Sequence, residues 1–281
     1  MIACSTVSQR EIRFHYDLAT LFYRLLWGRH IHHGLWNGAE SPAAAQKQLI
    51  DALAAGAVLR GDRVVDVGCG MGGSSIHLAR AFDCRVTGIT LSAVQRAWAT
   101  CSARWQGVSR RASFVRADAE RIELPAAAYD IVWSIECTEH LFDKPAFFAR
   151  ASRWLRPGGR MAICAWLAAE PPHSEAAGRL VHQVCEGFLC PSLGTMSDYQ
   201  RWMSDAGLVM RQSHDWTARV AKTWEICLTR IRRARLGAIA RLIGSNAVGF
   251  LDRFETILEA YRTGAMRYGA FVFERPEAGA A

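Results

Sequence analysis

Short apolar runs alternate with amphipathic segments through the middle of the chain. The apolar runs, rich in β-branched residues, predict strands at 63–67, 85–89, 113–116, 129–135 and 161–167. Segments with helical apolar spacing predict helices at 43–55, 74–80, 92–105, 144–155 and 197–206. Two further strands are predicted at 208–213 and 268–274. This alternation predicts an α/β domain whose parallel sheet is covered on both faces and binds ligands at the carboxyl ends of its strands.

Two segments depart from this alternation. Residues 11–36 predict one or two aromatic-rich helices with a turn near Gly28, and residues 217–264 predict a helical insertion. In the insertion one face carries Trp224, Leu228, Ile231, Ala238 and Leu242, and most of the arginines lie off that face: Arg230, Arg232, Arg233, Arg235 and Arg241. A solvated surface helix is the first interpretation, and contact with a membrane surface or an anionic ligand stays open.

The segment after the first helix contains His30, His32 and His33. Adjacent histidines do not share a face, so we expect an exposed or internally satisfied polar turn. A metal site there lacks a carboxylate or thiol at ligand spacing. No metal is therefore predicted in this segment.

Composition narrows the class of protein. A length of 281 residues fits one α/β domain with an elaboration or two small domains, and a hydrophobic fraction of 51% supports a full core. We find neither an apolar run of transmembrane length nor a signal peptide, and the nine scattered cysteines indicate reduced thiols in a cytoplasmic protein. The net charge of +8 fits an anionic substrate, nucleic acid or a membrane surface equally well.

A glycine-rich turn follows the first predicted strand of the sheet. Gly68, Gly70 and Gly73 satisfy G-x-G-x-x-G, a pattern that also occurs in dinucleotide-binding proteins. Asp66 would repel a pyrophosphate, and no acid follows about 20 residues later to hold a ribose. A carboxylate before the glycines suits a ligand with an amino-acid group and a positive charge, as in S-adenosylmethionine.

Several longer segments resemble a known family. VVDVGCGMGG (64–73), VTGITLSAVQ (86–95), ADAERIELP (117–125) and SIECTEHLFDK (134–144) resemble class I S-adenosylmethionine-dependent methyltransferases. The segments at 16–36, 215–224 and 261–276 resemble the γ-tocopherol methyltransferase-like enzymes, which are similar to sterol methyltransferases. The resemblance extends over residues 14–276, nearly the whole chain.

The resemblance implies a Rossmann-like, doubly wound, seven-stranded sheet that is mostly parallel, with the last strand antiparallel. It implies a single methyltransferase domain over 1–281. Within it we expect an N-terminal helical lid, a cofactor-binding core, a helical insertion over the acceptor pocket and a last strand, at 1–57, 58–216, 217–264 and 265–276.

The resemblance also implies a binding role for particular residues. Asp66 and the glycine loop would line the methionine part of the cofactor, and Thr90 and Gln95 would meet the ribose in place of the acid usual in the class. Asp118 would accept from the adenine amino group. The full predicted cofactor set is Tyr16, Asp66, Gly68, Cys69, Gly70, Thr90, Leu91, Gln95, Asp118, Ala119 and Ile135. S-adenosylhomocysteine would be the product.

The end of the strand at 129–135 is where we expect the acceptor and the catalytic base. Because the sulfonium already activates the methyl group, the protein must align the reactants, exclude water and remove a proton. Glu139 and His140 are the predicted bases and Glu136 is third. The alternative is that a glutamate only caps the next segment and His140 only packs.

A hydrophobic small molecule is the predicted acceptor, with carbon preferred over oxygen or nitrogen. The aromatic residues predicted to line its pocket are Trp27, Trp36, Trp166, Phe188, Trp216 and Trp224. A prenylated quinol, a sterol, a terpenoid or a polycyclic natural product would fit, and only a diphosphate would bring in Mg²⁺. The alternatives are O- or N-methylation of a specialised metabolite and a non-catalytic cofactor-binding module. Nucleic acid is not expected as a partner, and the oligomeric state stays open.

Overall fold

The computed structural model describes residues 1–171, 174–233 and 245–277. Its strands are β1 (Ile2–Ala3), β2 (Arg63–Val67), β3 (Arg85–Thr90), β4 (Ala112–Arg116), β5 (Tyr129–Ile135), β6 (Leu155–Ala168), β7 (Ser192–Leu193), β8 (Val209–Asp215) and β9 (Met266–Glu274). Its helices are α1 (Gln9–Leu26), α2 (Pro42–Ala55), α3 (Gly73–Ala81), α4 (Ala93–Trp105), α5 (Lys144–Trp154), α6 (Glu175–Phe188), α7 (Met196–Asp205), α8 (Thr217–Val220), α9 (Lys222–Arg233) and α10 (Ser245–Arg262).

A seven-stranded sheet in the order β4-β3-β2-β5-β6-β9-β8 forms the centre of the molecule. The five strands from β4 to β6 run parallel, and β9 is antiparallel to both of its neighbours. Val64, Val65 and Val67 of β2 are fully buried, as expected for a strand covered on both faces. The predicted fold class, with its antiparallel last strand, is confirmed.

Helix starts follow the capping signals in the sequence. Ser8 and Glu11 form a reciprocal capping box at the start of α1. Ser41 caps α2, which has Pro42 in its first turn, and Ser92 caps α4. After α1 the chain continues without a second helix until α2, so residues 27–41 form a loop rather than the second helix that the sequence left open.

Two parts of the fold differ from the sequence prediction. β6 begins at Leu155 instead of 161, because the RPGG segment bulges within the strand, with Gly158 at a φ of +73°. α6 and β7 were not predicted; β7 pairs with β1 in a small antiparallel sheet. Both additions pack on the side of the molecule where the acceptor was expected.

The helical insertion is confirmed in its described part by α8, α9 and α10, with a turn at Ala221 between the first two. Trp224, Leu228 and Ile231 are buried, whereas Arg232 and Arg233 are exposed, as expected of a surface helix. Ala238, Leu242, Arg235 and Arg241 lie outside the described residues. Across the described part of the chain, no helix has the length and apolar character needed to cross a bilayer.

Candidate active site

The glycine loop after β2 is shaped by its neighbour after β5. Gly68 has a φ of +75°, and a Cβ atom there would lie only 2.3 Å from Sγ of Cys137. A Cβ on Gly73 would lie 2.5 Å from Nδ1 of His30. These two glycines therefore let the turn approach both the β5 end and the loop after α1.

Asp66 lies at the end of β2 and is 2% exposed. Ser75, in the first turn of α3, donates a hydrogen bond from its hydroxyl to Oδ2 of Asp66. Burial raises the pKa of this carboxyl to about 7, and the contacts from Ser75 oppose that rise only in part. A cationic ligand group beside Asp66 would lower the pKa again, so the site is suited to an ammonium.

A large cavity, here called the strand-end cavity, lies at the carboxyl ends of β2, β3, β4 and β5 and encloses about 820 Å³, including space open to solvent. It has the size and location of a cofactor site in a parallel sheet. Most of the residues predicted to bind the cofactor line it, namely Tyr16, Gly68, Gly70, Thr90, Leu91, Gln95, Asp118, Ala119 and Ile135.

Asp66 and Cys69 line an adjoining cavity of about 350 Å³, here called the glycine-loop cavity. The two cavities have Gly68, Gly70, Ile31 and Ile135 in common. The structure thus brings the whole predicted cofactor set to one continuous region. The individual roles of these residues remain predictions.

Near Thr90 and Asp118, some of the hydrogen bonds in the strand-end cavity are made by side chains of α1. Thr90 donates to Oε1 of Gln95 at 3.0 Å, and both side chains are buried. Gln9 of α1 donates from Nε2 to Oδ2 of Asp118 at 2.7 Å, the carboxylate predicted to accept from the adenine amino group. Ser92 donates to Asp17, also on α1. Gln9 was missed by sequence reasoning because no motif marks it.

A second cavity, here called the aromatic cavity, has a volume of about 480 Å³ and shares part of its wall with the strand-end cavity. The shared residues are Tyr16, Ile31, Glu136 and His140. Its other lining residues are Tyr23, Trp27, Glu139, Trp166, Phe188 and Trp224. A molecule in the aromatic cavity would therefore face a ligand in the strand-end cavity across one boundary.

The rings in this cavity are packed edge to face. Trp166 lies 5.4 Å from Phe188 and 5.7 Å from Trp224, measured between ring centroids, and Phe188 lies 5.4 Å from Trp224. Trp27 completes the group at 5.5 Å from Trp224. This mutual packing fixes the rings in place and presents an apolar surface to a ligand.

Two of the six predicted acceptor-binding aromatics lie elsewhere. The indole N–H of Trp36 donates to Thr223 at 3.0 Å, and its ring contacts the Lys222 ammonium, so Trp36 joins the loop after α1 to α9. Trp216 stacks on His214 beside α8. Each is anchored by these partners and lines neither the strand-end nor the aromatic cavity.

Glu136 is held as a fixed anion. Its Oε1 accepts from the backbone N–H of His33 at 2.8 Å, from Nδ1 of His33 at 2.9 Å and from the Tyr268 hydroxyl at 2.7 Å, and Oε2 accepts from the Trp166 indole at 2.9 Å. Burial raises its pKa, but the His33 charge and hydrogen bonds outweigh burial and bring the pKa down to about 2. Saturated with donors, Glu136 is a poor base.

Glu139 has the opposite environment. It is 1% exposed, and its Oε1 accepts from the Trp166 backbone N–H. Within the described residues, its Oε2 has no hydrogen-bond partner. Burial raises the pKa of Glu139 to about 8, so it is mostly protonated at neutral pH and its carboxyl group is available to a ligand in the aromatic cavity.

His140 links the two cavities through Tyr16. Its Nδ1 lies 2.9 Å from the carbonyl oxygen of Leu189, and its Nε2 lies 2.7 Å from the Tyr16 hydroxyl. A carbonyl only accepts, so Nδ1 carries the proton and Nε2 accepts from Tyr16. Burial lowers the pKa of His140 to about 4 and leaves the imidazole neutral at neutral pH. The result is a neutral base at the boundary between the cavities.

Of the two forms expected for the histidine segment, an exposed turn or an internally satisfied one, the structure has the second, because His30, His32 and His33 are all buried. Gln46 of α2 donates to the backbone carbonyls of His30 and His32 at 2.9 and 3.3 Å, which satisfies polar groups inside the protein. His33 is satisfied in part by Glu136, and His32 reaches the glycine-loop cavity. This partnering could not be read from spacing alone.

Comparison with known proteins agrees with this geometry. The family model for mycolic acid cyclopropane synthetase matches residues 4–267. The chain is 32% identical over 252 residues to 27-O-demethylrifamycin SV methyltransferase of Amycolatopsis mediterranei (strain S699), covering 89% of this chain and 92% of that one. It is 30% identical over 295 residues to the chloroplastic tocopherol O-methyltransferase of Arabidopsis thaliana, covering 98% and 84%.

A solved structure shares the fold. It is the geranyl diphosphate C-methyltransferase of Streptomyces coelicolor A3(2) in complex with Mg²⁺, geranyl diphosphate and S-adenosyl-L-homocysteine. The TM-score is 0.74 at 23% identity, with 95% of this chain and 97% of that chain covered. The chain belongs to the mycolic acid cyclopropane synthetase family and is a class I S-adenosylmethionine-dependent methyltransferase, as its glycine loop and strand-end motifs predict.

Proposed function

We propose that this enzyme methylates a carbon atom of a hydrophobic small molecule that carries one polar group, such as a prenylated quinol, a sterol, a terpenoid or a polycyclic natural product. The observation that carries the proposal is the aromatic cavity, which meets the strand-end cavity at the neutral imidazole of His140. An apolar acceptor placed there lies beside both the methyl donor and a base.

The residues present fit the cofactor. Asp66, with its raised pKa, would accept the ammonium of the methionine part, Thr90 and Gln95 would meet the ribose, and Asp118 would accept from adenine. When bound, S-adenosylmethionine supplies an electrophilic methyl group and becomes S-adenosylhomocysteine. The protein then has to orient the acceptor, exclude water and remove one proton.

His140 is the proposed base. The Leu189 carbonyl holds its Nδ1–H, which leaves Nε2 to take a proton from the acceptor while Tyr16 moves aside or relays it. Protonated Glu139 donates to an oxygen of the acceptor through its unpartnered Oε2. Glu136 holds its anionic charge beside the cavity throughout.

Carbon is preferred because positive charge develops on an unsaturated acceptor once its carbon receives the methyl group. The Glu136 carboxylate and the faces of Trp27, Trp166 and Trp224 stabilise such a charge. O-methylation is the second candidate: a neutral histidine paired with a tyrosine also suits removal of a hydroxyl proton, and two similar enzymes are named for oxygen acceptors.

A diphosphate acceptor is disfavoured. Among the described residues that line the aromatic cavity there is no lysine or arginine, and Glu136 is anionic, so an anion would meet repulsion there. On α9, Arg232 pairs with Glu255 of α10, and both side chains are exposed. We therefore propose no Mg²⁺ requirement. The cytoplasmic location, the absence of nucleic-acid binding and the peripheral membrane contact stay predictions.

The test is a product screen by mass spectrometry. The protein is incubated with methyl-labelled S-adenosylmethionine and separate pools of prenylquinols, sterols, terpenoids, phenols and isoprenoid diphosphates. We expect label in a hydrophobic product, on carbon by fragmentation, with equal yield in chelator and in Mg²⁺.

The negative control is His140→Gln, which should bind cofactor and form product at least about 100-fold more slowly. Label only in a diphosphate pool, dependent on Mg²⁺, would overturn the proposed acceptor class. Label on oxygen would select the second candidate. Cofactor binding without product in any pool, including an extract of the source cells, would favour a binding module.

A further inference from the structure

A cluster of metal-binding side chains lies on the outer side of α6, away from both cavities. Cys4, His182 and Glu186 place their ligand atoms within 4.8 Å of one another. His182 and Glu186 are one turn apart on α6, with Nδ1 of His182 3.8 Å from Oε2 of Glu186. Cys4 reaches them from the N-terminal segment, immediately after β1.

We propose that Cys4, His182 and Glu186 form a Zn²⁺ site with water as the fourth ligand. Thiolate, imidazole and carboxylate are a donor set for zinc and are unsuited to Mg²⁺ or Ca²⁺ because of the sulfur. Tetrahedral zinc needs ligand atoms about 3.3–3.8 Å apart. The His182 and Glu186 side chains are 43% and 48% exposed and are free to make that small adjustment by rotation.

Neighbouring groups hold Cys4 in position. The Cys4 Sγ has a hydroxyl neighbour, Thr6 Oγ1 at 3.3 Å, and the Cys4 backbone N–H donates to the Pro191 carbonyl at 2.8 Å. Cys185 lies on the buried face of α6 and does not belong to the cluster of Cys4, His182 and Glu186. Because cysteine binds zinc as the thiolate, zinc binding would release the thiol proton to solvent.

The site would join the N-terminal segment to α6. Two residue pairs, Ile2 with Leu193 and Ala3 with Ser192, form the whole β1–β7 ladder, which is short for an unaided attachment. α6 ends just before Leu189, whose carbonyl fixes the His140 tautomer. A metal at this site would hold the helix that precedes this carbonyl without touching the reactants.

The experiment uses the full chain after treatment with a chelator. Co²⁺ is titrated in, and the thiolate-to-cobalt charge-transfer band is followed and then displaced with Zn²⁺. We expect one equivalent to bind and the band to disappear in Cys4→Ser. His182→Ala, at a half-exposed position that should not disturb folding, should weaken Zn²⁺ binding by at least about tenfold.

Cys101→Ser, at an exposed cysteine elsewhere on the surface, is the matched control and should bind like the original chain. Zn²⁺ should also raise the Tm of the original chain and leave that of His182→Ala unchanged. A missing charge-transfer band, or full Zn²⁺ affinity in both Cys4→Ser and His182→Ala, would overturn the proposal. So would loss of the band in Cys185→Ser alone.

Discussion

The strand-end cavity and the aromatic cavity share a wall but are built in different ways. Most of the strand-end cavity comes from short loops that follow consecutive strands, so neighbours in space are also close in sequence, as with Thr90 and Gln95. The aromatic cavity combines α1, β6, α6 and α9, with Trp27 and Trp224 in ring contact across the chain. The proposed cofactor site is thus encoded locally in the sequence, whereas the proposed acceptor site depends on packing between distant segments.

The largest expected effect is at the boundary between the cavities. His140→Gln should lower kcat by about 10²–10⁴-fold, because the neutral base is lost, while the Kd for S-adenosylmethionine changes by less than about threefold. Tyr16→Phe should lower kcat less, since the base itself remains. Single-turnover rates and calorimetric titration measure the two quantities.

His77→Gln is the control for this substitution, because His77 pairs with Asp51 outside both cavities and should leave both constants unchanged. A normal kcat in His140→Gln would mean that proximity alone drives the reaction.

The second-largest expected effect is on S-adenosylmethionine affinity, through Asp66. Asp66→Asn should weaken S-adenosylmethionine binding about 10–100-fold, because it removes the buried carboxylate that accepts the ammonium. In the original chain the affinity should rise with pH through about 7, the raised pKa of Asp66, and this rise should be absent in the variant.

Binding measured by calorimetry between pH 6 and 8 tests both statements about Asp66. Asp62→Asn is the control: it removes a different buried carboxylate, which immediately precedes the first residue of β2. In this variant the affinity for S-adenosylmethionine should still rise with pH. Equal affinity in Asp66→Asn would show that the glycine-loop cavity does not hold the amino group.

Two glutamates of the aromatic cavity should respond to pH in opposite directions. The pKa of Glu139 is raised to about 8, so its contribution to stability is lost as pH rises from its ordinary 4.5 through 8. The pKa of Glu136 is lowered to about 2, so its contribution is present above 4.5 and is lost as pH falls through 2.

Glu139→Gln should therefore be more stable than the original chain above pH 8, by up to about 5 kcal/mol, with little gain at pH 5. Glu136→Gln should be less stable than the original chain at neutral pH. The NH₂ of the glutamine amide would face the hydrogen-bond donors that now contact the Glu136 carboxylate. Urea unfolding at several pH values measures this. The same pH slope in Glu139→Gln and the original chain would contradict the assignment.

The smallest effect separates two tryptophans that were predicted to act together. Trp166→Phe should raise the KM for the acceptor about three- to tenfold, because Trp166 lines the aromatic cavity and donates to Glu136. Trp36→Phe should leave KM unchanged and lower stability by about 1 kcal/mol through the lost bond to Thr223. Steady-state kinetics on both variants measures the KM for the acceptor. An equal rise in KM in Trp36→Phe and Trp166→Phe would contradict the assignment of only Trp166 to the acceptor pocket.

The sheet and the cofactor side could be predicted because periodicity and strand-end motifs are local signals. Asp66 and Asp118 each follow from a few neighbouring residues. Glu136 shows the limit: only two residues separate it from Glu139, yet His33, Trp166 and Tyr268 make it an anion, and these partners lie far away in sequence. No spacing rule contains that information.

Helix α6 was not predicted from the sequence, although its local signals were present. Ser174 caps it, and Val181, Cys185 and Phe188 repeat at helical spacing, so the signal was present in the sequence. What could not be read is that its end places the Leu189 carbonyl against His140, with Leu189 in a left-handed conformation. The proposed base, His140, is oriented by a residue that no motif marks.

Helix α1 touches both cavities, through Gln9 on Asp118 and Tyr16 on His140. One helix therefore contacts residues of both cavities, so a movement of α1 would change both at the same time. We expect opening of α1 to limit the steady-state rate, so that rapid mixing shows a burst of methylated product in the first turnover. The order in which donor and acceptor bind would then depend on the movement of α1 rather than on either binding site.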